Sequence, residues 1–421
     1  MTRNLLELMR IIKNRKLPAA RLNELRERKL RAVIRNAYEH VPYYRSLFRS
    51  AGLTPEDIRT LEDLEQVPVT TKDDLRAAGI ENSTAQWVDV STCVQKRTSG
   101  SSGKPFTVYR TPEEHRTAEL VMTASQLAVG FRPWDRFASL GPDLSLPVRL
   151  YHRVGLFRRD VSPIRLPLED QIQRLREFQP TILMAWPSSL RALMLGCEGP
   201  FRDVVNPRIL ITCAEVLDDV LRARLEDELD AELFALYVSQ EFVQIAMECP
   251  THEGLHVQAD HVIVESLHDG KAVEPGREGA AVITSLYSFA MPFIRFKLGD
   301  RIVLADKRCS CESSFPLMGH PLGRDNDVLR LPSGTVLSPQ RFNHILREFP
   351  GVDLWRLIQE TERHFVLKLV MPEEPGDEFL SSMRAQFLEY LQEPVTLEIE
   401  LVSHIEEERL KFRHFISKIA P

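Results

Sequence analysis

Thr98-Ser99-Gly100-Ser101-Ser102-Gly103-Lys104-Pro105 is the stretch on which the reading of this chain turns. Its two glycines and run of small residues let the backbone approach an anion closely and point N–H groups at it. Four hydroxyls add donors and Lys104 adds a positive charge, a cradle suited to the pyrophosphate of ATP. A flexible Ser/Gly turn has the same composition, so the neighbouring segments must decide. A P-loop NTPase needs Gly five residues before its Gly-Lys pair and Ser or Thr directly after the Lys. Thr98 and Pro105 stand at those places. The motif fails at both ends, including the hydroxyl that would hold magnesium, which argues against a Walker-type kinase.

The chain around this loop has 421 residues, enough for two or three domains and a large core. With 43% hydrophobic and 27% charged residues it reads as an ordinary soluble globular protein. A net charge of −6 gives no electrostatic reason to expect a nucleic-acid partner. Six cysteines in so long a chain do not make a disulfide framework, so a reducing, cytoplasmic setting is expected. No apolar run is long enough to span a membrane. The opening MTRNLLELMRIIKNRK is a basic amphipathic helix with Leu5, Leu6, Met9 and Ile12 on one face. Glu7 and Arg10 interrupt it and no small-residue cleavage site follows, so it does not read as a signal peptide. Packing on its own domain is the favoured role and membrane docking the alternative.

Residues 19–50 carry apolar side chains at helical spacing (Leu22, Leu25, Leu30, Val33, Ile34, Ala37), and Thr71 before Lys72-Asp73-Asp74 reads as an N-cap. The Arg/Lys run from Arg26 to Arg35, interleaved with Glu24 and Glu27 nearby, reads as a solvated face. Between about 90 and 320, strand candidates at Thr181–Ala185, Ile209–Thr212, Leu233–Tyr237 and Ala280–Ser285 alternate with helix candidates at Leu166–Phe178 and Leu217–Leu229. That alternation predicts α/β layers with parallel strands. Strand, helix and strand at His364–Met371, Asp377–Leu391 and Val395–Ser403 predict a small α+β unit after a boundary near Gly323-Arg324.

With its neighbours, the loop resembles the phosphate loop of the adenylate-forming superfamily, and the chain is similar to its phenylacetate–CoA ligase and CapK-like branch. Val41-Pro42-Tyr43-Tyr44-Arg45 and Val67-Pro68-Val69-Thr70-Thr71-Lys72 resemble the opening of that branch. The resemblance covers nearly the whole chain, from about residue 25 to Lys418. It implies a large N-terminal α/β domain of layered sheets and helices, residues 1–322, and a small mobile α+β lid, residues 323–421. It also implies that residues Thr98, Ser99, Gly100, Ser101, Ser102, Gly103 and Lys104 grip the ATP phosphates.

Four more motifs carry roles by the same resemblance. Tyr237-Val238-Ser239-Gln240-Glu241 matches a segment in which the aromatic ring stacks on adenine and the Glu binds magnesium. Carboxylate oxygen is the hard ligand that magnesium prefers. Here Val238 replaces a Gly, and Gln240 replaces a hydroxyl residue that contacts phosphate. Met291-Pro292-Phe293-Ile294-Arg295-Phe296-Lys297-Leu298-Gly299-Asp300 matches the segment whose Asp takes both ribose hydroxyls, as an acceptor-only carboxylate can. In Gly323-Arg324-Asp325-Asn326 the Arg would contact the ribose and Asn326 would be the hinge. Leu410-Lys411-Phe412-Arg413 matches the segment whose lysine stabilises charge during adenylation, with Leu410 in place of Gly. Cys213-Ala214-Glu215-Val216 resembles a lining of the adenine and acyl pockets, as does Trp186-Pro187-Ser188, where the bulk of Trp186 would narrow the acyl pocket.

Cys249 and His256, with Cys309-Ser310-Cys311 downstream, suffice for a closed tetrahedral zinc site of structural type. His252 is the rival to His256. The expected activity is AMP-forming ligation: a carboxylic acid, aryl or otherwise small, and ATP·Mg²⁺ give acyl-AMP, and a thiol such as coenzyme A takes the acyl group. Lys104, Lys411 and Glu241 are the expected catalytic residues. Transfer to an amine or hydroxyl without coenzyme A is the alternative. A non-catalytic binder on a ligase scaffold is a third reading, motivated by Val238, Gln240 and Leu410. A homodimer is common among relatives, although the sequence shows no interface signature.

Overall fold

The computed structural model describes residues 2–98, 106–141, 155–156, 158–163, 166–324, 329–333, 336–337, 342, 345–346, 348–349, 351–405 and 412–419. Its first helices are α1 (Thr2–Asn14), α2 (Ala19–His40), α3 (Pro42–Ser50), α4 (Lys72–Ala78), α5 (Ile80–Ser83) and α6 (Pro112–Ala128). The early strands are β1 (Val94–Thr98), β2 (Phe106–Arg110), β3 (Arg136–Gly141), β4 (Arg158–Pro163), β5 (Ile182–Ala185), β6 (Ile209–Cys213) and β7 (Glu232–Ser239). They continue as β8 (Val243–Glu248), β9 (Leu255–Val257), β10 (Val262–His268), β11 (Lys271–Ala272), β12 (Glu278–Ser285), β13 (Phe296–Val303) and β14 (Leu317–Met318). The helix expected over 19–50 is two helices, because Pro42 drives Val41 into extended backbone, φ −112° and ψ 109°. No described helix is long and apolar enough to cross a membrane.

The chain divides into two compact units, one of residues 1–131 and 236–320, the other of 132–235 and 321–421. In the first unit, β10, β12 and β13 form an antiparallel sheet with β11 at its edge, and the second half of β7 continues through β8 and β9 to β14. Phe242, Ile245, Phe293 and Phe296 are among the side chains that fill its core. The motifs read from sequence meet here for a physical reason. The buried Tyr44 hydroxyl donates to the Pro292 carbonyl at 3.0 Å and accepts the Ile294 N–H at 3.1 Å. Thr70 exchanges backbone bonds with Arg295 and Lys297, so the Val67–Lys72 segment lies along the start of β13. The Arg295 guanidinium donates to the Glu65 and Val67 carbonyls and pairs with Glu265 at 2.8 Å. Burial raises the Glu265 carboxyl and that guanidinium opposes the rise. Helix α6 opens with a reciprocal capping box between Thr111 and Glu114. The same Glu114 accepts the N–H groups of Phe289 and Ala290.

In the second unit, β4, β3, β5 and β6 run parallel, and the first half of β7 lies beside β6. This is the parallel arrangement expected from the alternation of apolar runs. The C-terminal part has its own sheet, with antiparallel strands Leu354–Thr361 and His364–Val370 at its centre and parallel edge strands Thr396–Leu401 and Phe415–Ser417. Helix Asp377–Leu391 buries Met383 and Phe387 against Trp355, Leu357, Phe365 and Leu367. Ion pairs tie this part to residues 187–228. Arg191 pairs with Asp218 at 2.5 Å and donates to the Asp353 carbonyl, while Arg224 pairs with the Asp353 carboxylate. The imidazole of His414 stands 3.7 Å from Asp218.

Candidate functional site

Thr98 and Phe106 are partners across the β1–β2 ladder, so residues 99–105, the segment expected to grip phosphate, connect two paired strand ends in sequence. Ser99, Gly100, Ser101, Ser102, Gly103 and Lys104 lie outside the described residues, as do Asn326 and Lys411.

Tyr237 and Glu241 flank the turn between β7 and β8. The Tyr237 hydroxyl donates to Asp300 Oδ2 at 2.7 Å. Asp300 reaches it because Leu298-Gly299-Asp300 bulges out of β13: the register passes from Val282–Lys297 to Ala280–Arg301. Gly299, at φ +87°, supplies the backbone angle that the bulge requires. Gln240 is exposed, and its carbonyl accepts from the Arg110 guanidinium.

Glu241 is buried, and the Lys72 ammonium sits 2.8 Å from its Oε1. The approach is an ion pair without an aligned hydrogen bond, which leaves that buried oxygen an unfilled acceptor direction. Lys72 also stands 5.9 Å from the centre of the ring of Phe106, the first residue of β2. The sequence alone assigns Lys72 no role. The available signal was a local misfit: lysine occupies the first position of a helix, where the dipole disfavours a cation.

In the second unit, Glu215 accepts from the backbone N–H and hydroxyl of Ser188 at 2.9 and 3.0 Å, joining two segments expected to line a pocket. Ala214 has φ +68°, a left-handed angle that costs an L-residue about 1–2 kcal/mol. Trp186 is buried and Arg324 exposed.

Cys249, His256, Cys309 and Cys311 bring their ligand atoms within 4.8 Å of one another. Cys249 and Cys309 Sγ are 3.6 Å apart, and Cys311 Sγ is 3.2 Å from His256 Nε2. His256 Nδ1 lies 2.9 Å from the Phe315 carbonyl, so donation from Nδ1–H leaves Nε2 directed at the sulfurs. Burial lowers the His256 pKa and favours the neutral imidazole a metal requires. His252 stands apart from this cluster, 3.8 Å from Glu248. Gly254 permits the intervening turn, since a Cβ there would meet the Met318 carbonyl at 2.8 Å.

No family model matches the chain. A solved structure of 2-hydroxyisobutyryl-CoA ligase, in complex with R3-HIB-AMP, superposes with a TM-score of 0.80 over 96% of this chain and 91% of that one, at 21% identity. The fold is therefore that of the adenylate-forming ligases. The phenylacetate-coenzyme A ligase of Thermus thermophilus is 27% identical over 352 residues, 80% of this chain and 77% of the relative. That of Pseudomonas putida is 30% identical over 336 residues, 76% of this chain and 74% of the relative. The chain belongs to the phenylacetate–coenzyme A ligase family of AMP-forming acid–thiol ligases.

Proposed function

We propose that this chain activates an aryl or other small organic acid with ATP and passes the acyl group to coenzyme A. The observation that carries the reading is the cluster at the β7–β8 turn, where Tyr237 holds Asp300 and Lys72 faces Glu241. The substrate carboxylate attacks the α-phosphorus and the bond to pyrophosphate breaks. A thiolate then attacks the acyl carbon and AMP leaves. Neither step needs a protein nucleophile, so positioning and charge do the catalysis.

Tyr237 offers its ring to adenine, Asp300 and Arg324 bind the ribose hydroxyls, and Ala214 and Glu215 line the adenine and acyl pockets. Residues 98–104 and Gln240 bind phosphate. Lys104 and Lys411 stabilise the charge that develops on the α-phosphate, and Lys72, near Phe106, adds a third cation. Glu241 holds magnesium, which supplies charge screening between phosphates when bound; its buried, incompletely paired Oε1 fits that ligand. Residues 323–421, with their own core, act as the lid that carries Lys411.

The three thiols and one imidazole fit a closed structural zinc site. Metal analysis should find one zinc per chain in the wild type and none in Cys311→Ser, together with a lower melting temperature. An equal zinc content in both would reject the site.

Pyrophosphate exchange with a panel of aryl and small aliphatic acids tests the activity. One acid should support exchange, and adding coenzyme A should convert it to the thioester. Exchange with release of acyl-AMP and no use of the thiol would favour an amine or hydroxyl acceptor. ATP binding without exchange for any acid would favour a binding protein.

A further inference from the structure

Helix α1 has two apolar faces, and among the described residues only one is covered. Ile11 and Leu8 face inward and pack on Val121, Ala124 and Leu120 of α6. Glu7 accepts from Thr117, and Arg3 pairs with Glu113, so the helix is fixed to the first unit along this side. On the other side Leu5, Leu6, Met9 and Ile12 are 59%, 66%, 46% and 38% exposed, four large apolar side chains within eight residues. At 100° per residue they span an arc of about 120°, with Lys13 inside it and Arg10 beside it. Arg10 and Lys13 are exposed and make no ion pair among the described residues.

The segment that carries this arc is opposite in charge to the chain as a whole. Residues 1–35 hold eleven Lys and Arg against three Glu, a formal +8 in a chain of −6. Helix α2 presents Arg28, Arg31 and Arg35 at helical spacing, all exposed. Burial lowers the Lys29 pKa against the attraction of Asp260, and Arg10 and Arg28 add to the lowering, so these basic side chains of α1 and α2 lie near one another.

We propose that α1 is an interfacial helix that seats this protein on an anionic phospholipid surface, with Leu5, Leu6, Met9 and Ile12 among the acyl chains and Arg10, Lys13 and Arg28 on the headgroups. An apolar arc with basic residues at its border is the pattern that partitions into a headgroup layer. A second copy of the chain fits less well, because burying this arc in a protein interface would also desolvate Lys13, which lies within it, and Arg10 at its border. A nucleic acid gains nothing from the four apolar side chains.

Vesicle flotation of the full chain tests this independently of any ligase activity, using phosphatidylcholine vesicles with and without phosphatidylglycerol. The protein should float with the anionic vesicles and be released by salt. Leu6→Glu/Met9→Glu and Arg10→Glu/Lys13→Glu should each lower the bound fraction about tenfold or more. Both pairs change only outward-facing side chains, so melting temperatures should match wild type. Absence of wild-type binding to anionic vesicles overturns the proposal, as does undiminished binding by Leu6→Glu/Met9→Glu. So does a wild-type dimer that this variant converts to monomer without any vesicle binding, which would assign the arc to self-association.

Discussion

Lys72 Nζ lies 2.8 Å from Glu241 Oε1, joining the first turn of a capped helix to the acidic end of the β7–β8 turn. The Glu241 side chain is 3% exposed and that of Lys72 27%, so the lysine is the nearer of the two to water.

Glu241→Gln should lower pyrophosphate exchange by about 10²–10³-fold, the range for removing one stabiliser of developing charge. Lys72→Met should also slow exchange and should cost about 1–3 kcal/mol of stability, because it strands a buried carboxylate. The double variant should recover most of that stability without recovering rate. Urea titrations of the four proteins give the comparison; additive losses would show that the pair is not coupled.

Tyr237→Phe removes the donor at 2.7 Å from Asp300 and keeps the ring. If Tyr237 holds Asp300 for the ribose, KM for ATP should rise about fivefold while kcat changes little. A large fall in kcat with KM unchanged would place the hydroxyl in the chemistry instead.

Ala214→Gly should stabilise the protein by about 0.5–1 kcal/mol, since glycine adopts φ +68° without strain but adds unfolded-state freedom. The urea midpoint reads this directly. A lower midpoint would mean that the Ala214 methyl packs well enough to outweigh the strain.

Burial pulls the His414 pKa down to about 4 from 6.5, against the attraction of Asp218. The unfolded chain therefore binds the proton more readily between those values. The stability contributed by neutral His414 is complete above about pH 6.5 and is lost as pH falls toward about 4, by up to about 3 kcal/mol. The Asp218 carboxyl is held below its ordinary 3.8, although burial alone would raise it, because Arg191 and His414 outweigh that penalty, so its own loss begins only in stronger acid. His414→Phe, which keeps an aromatic ring beside Trp355, should show a shallower decline between about pH 7 and about pH 5.

Much of the fold could be read locally. The parallel strands β5 and β6, the cap at Thr71 and helix Asp377–Leu391 follow from periodicity and capping, which depend on near neighbours in sequence. The break at Val41 is also local, signalled by Pro42 even though the apolar periodicity begins well before it. Strand Leu354–Thr361 is not legible locally, because Leu354-Trp355-Arg356-Leu357-Ile358 alternates poorly, and its pairing on both edges fixes it instead.

By itself, the sequence determined the residue chemistry of this protein: a Ser/Gly-rich loop unlike a P-loop, a carboxylate suited to magnesium, another suited to a diol, and three thiols with a histidine. Only the tertiary structure decided which of these meet. The bulge at Gly299 brings Asp300 to Tyr237, the β13 edge carries Lys72 to Glu241, and the Phe315 carbonyl turns His256 rather than His252 toward the sulfurs. Each of these depends on contacts between residues distant in sequence, and their energies are set by burial that no local pattern records.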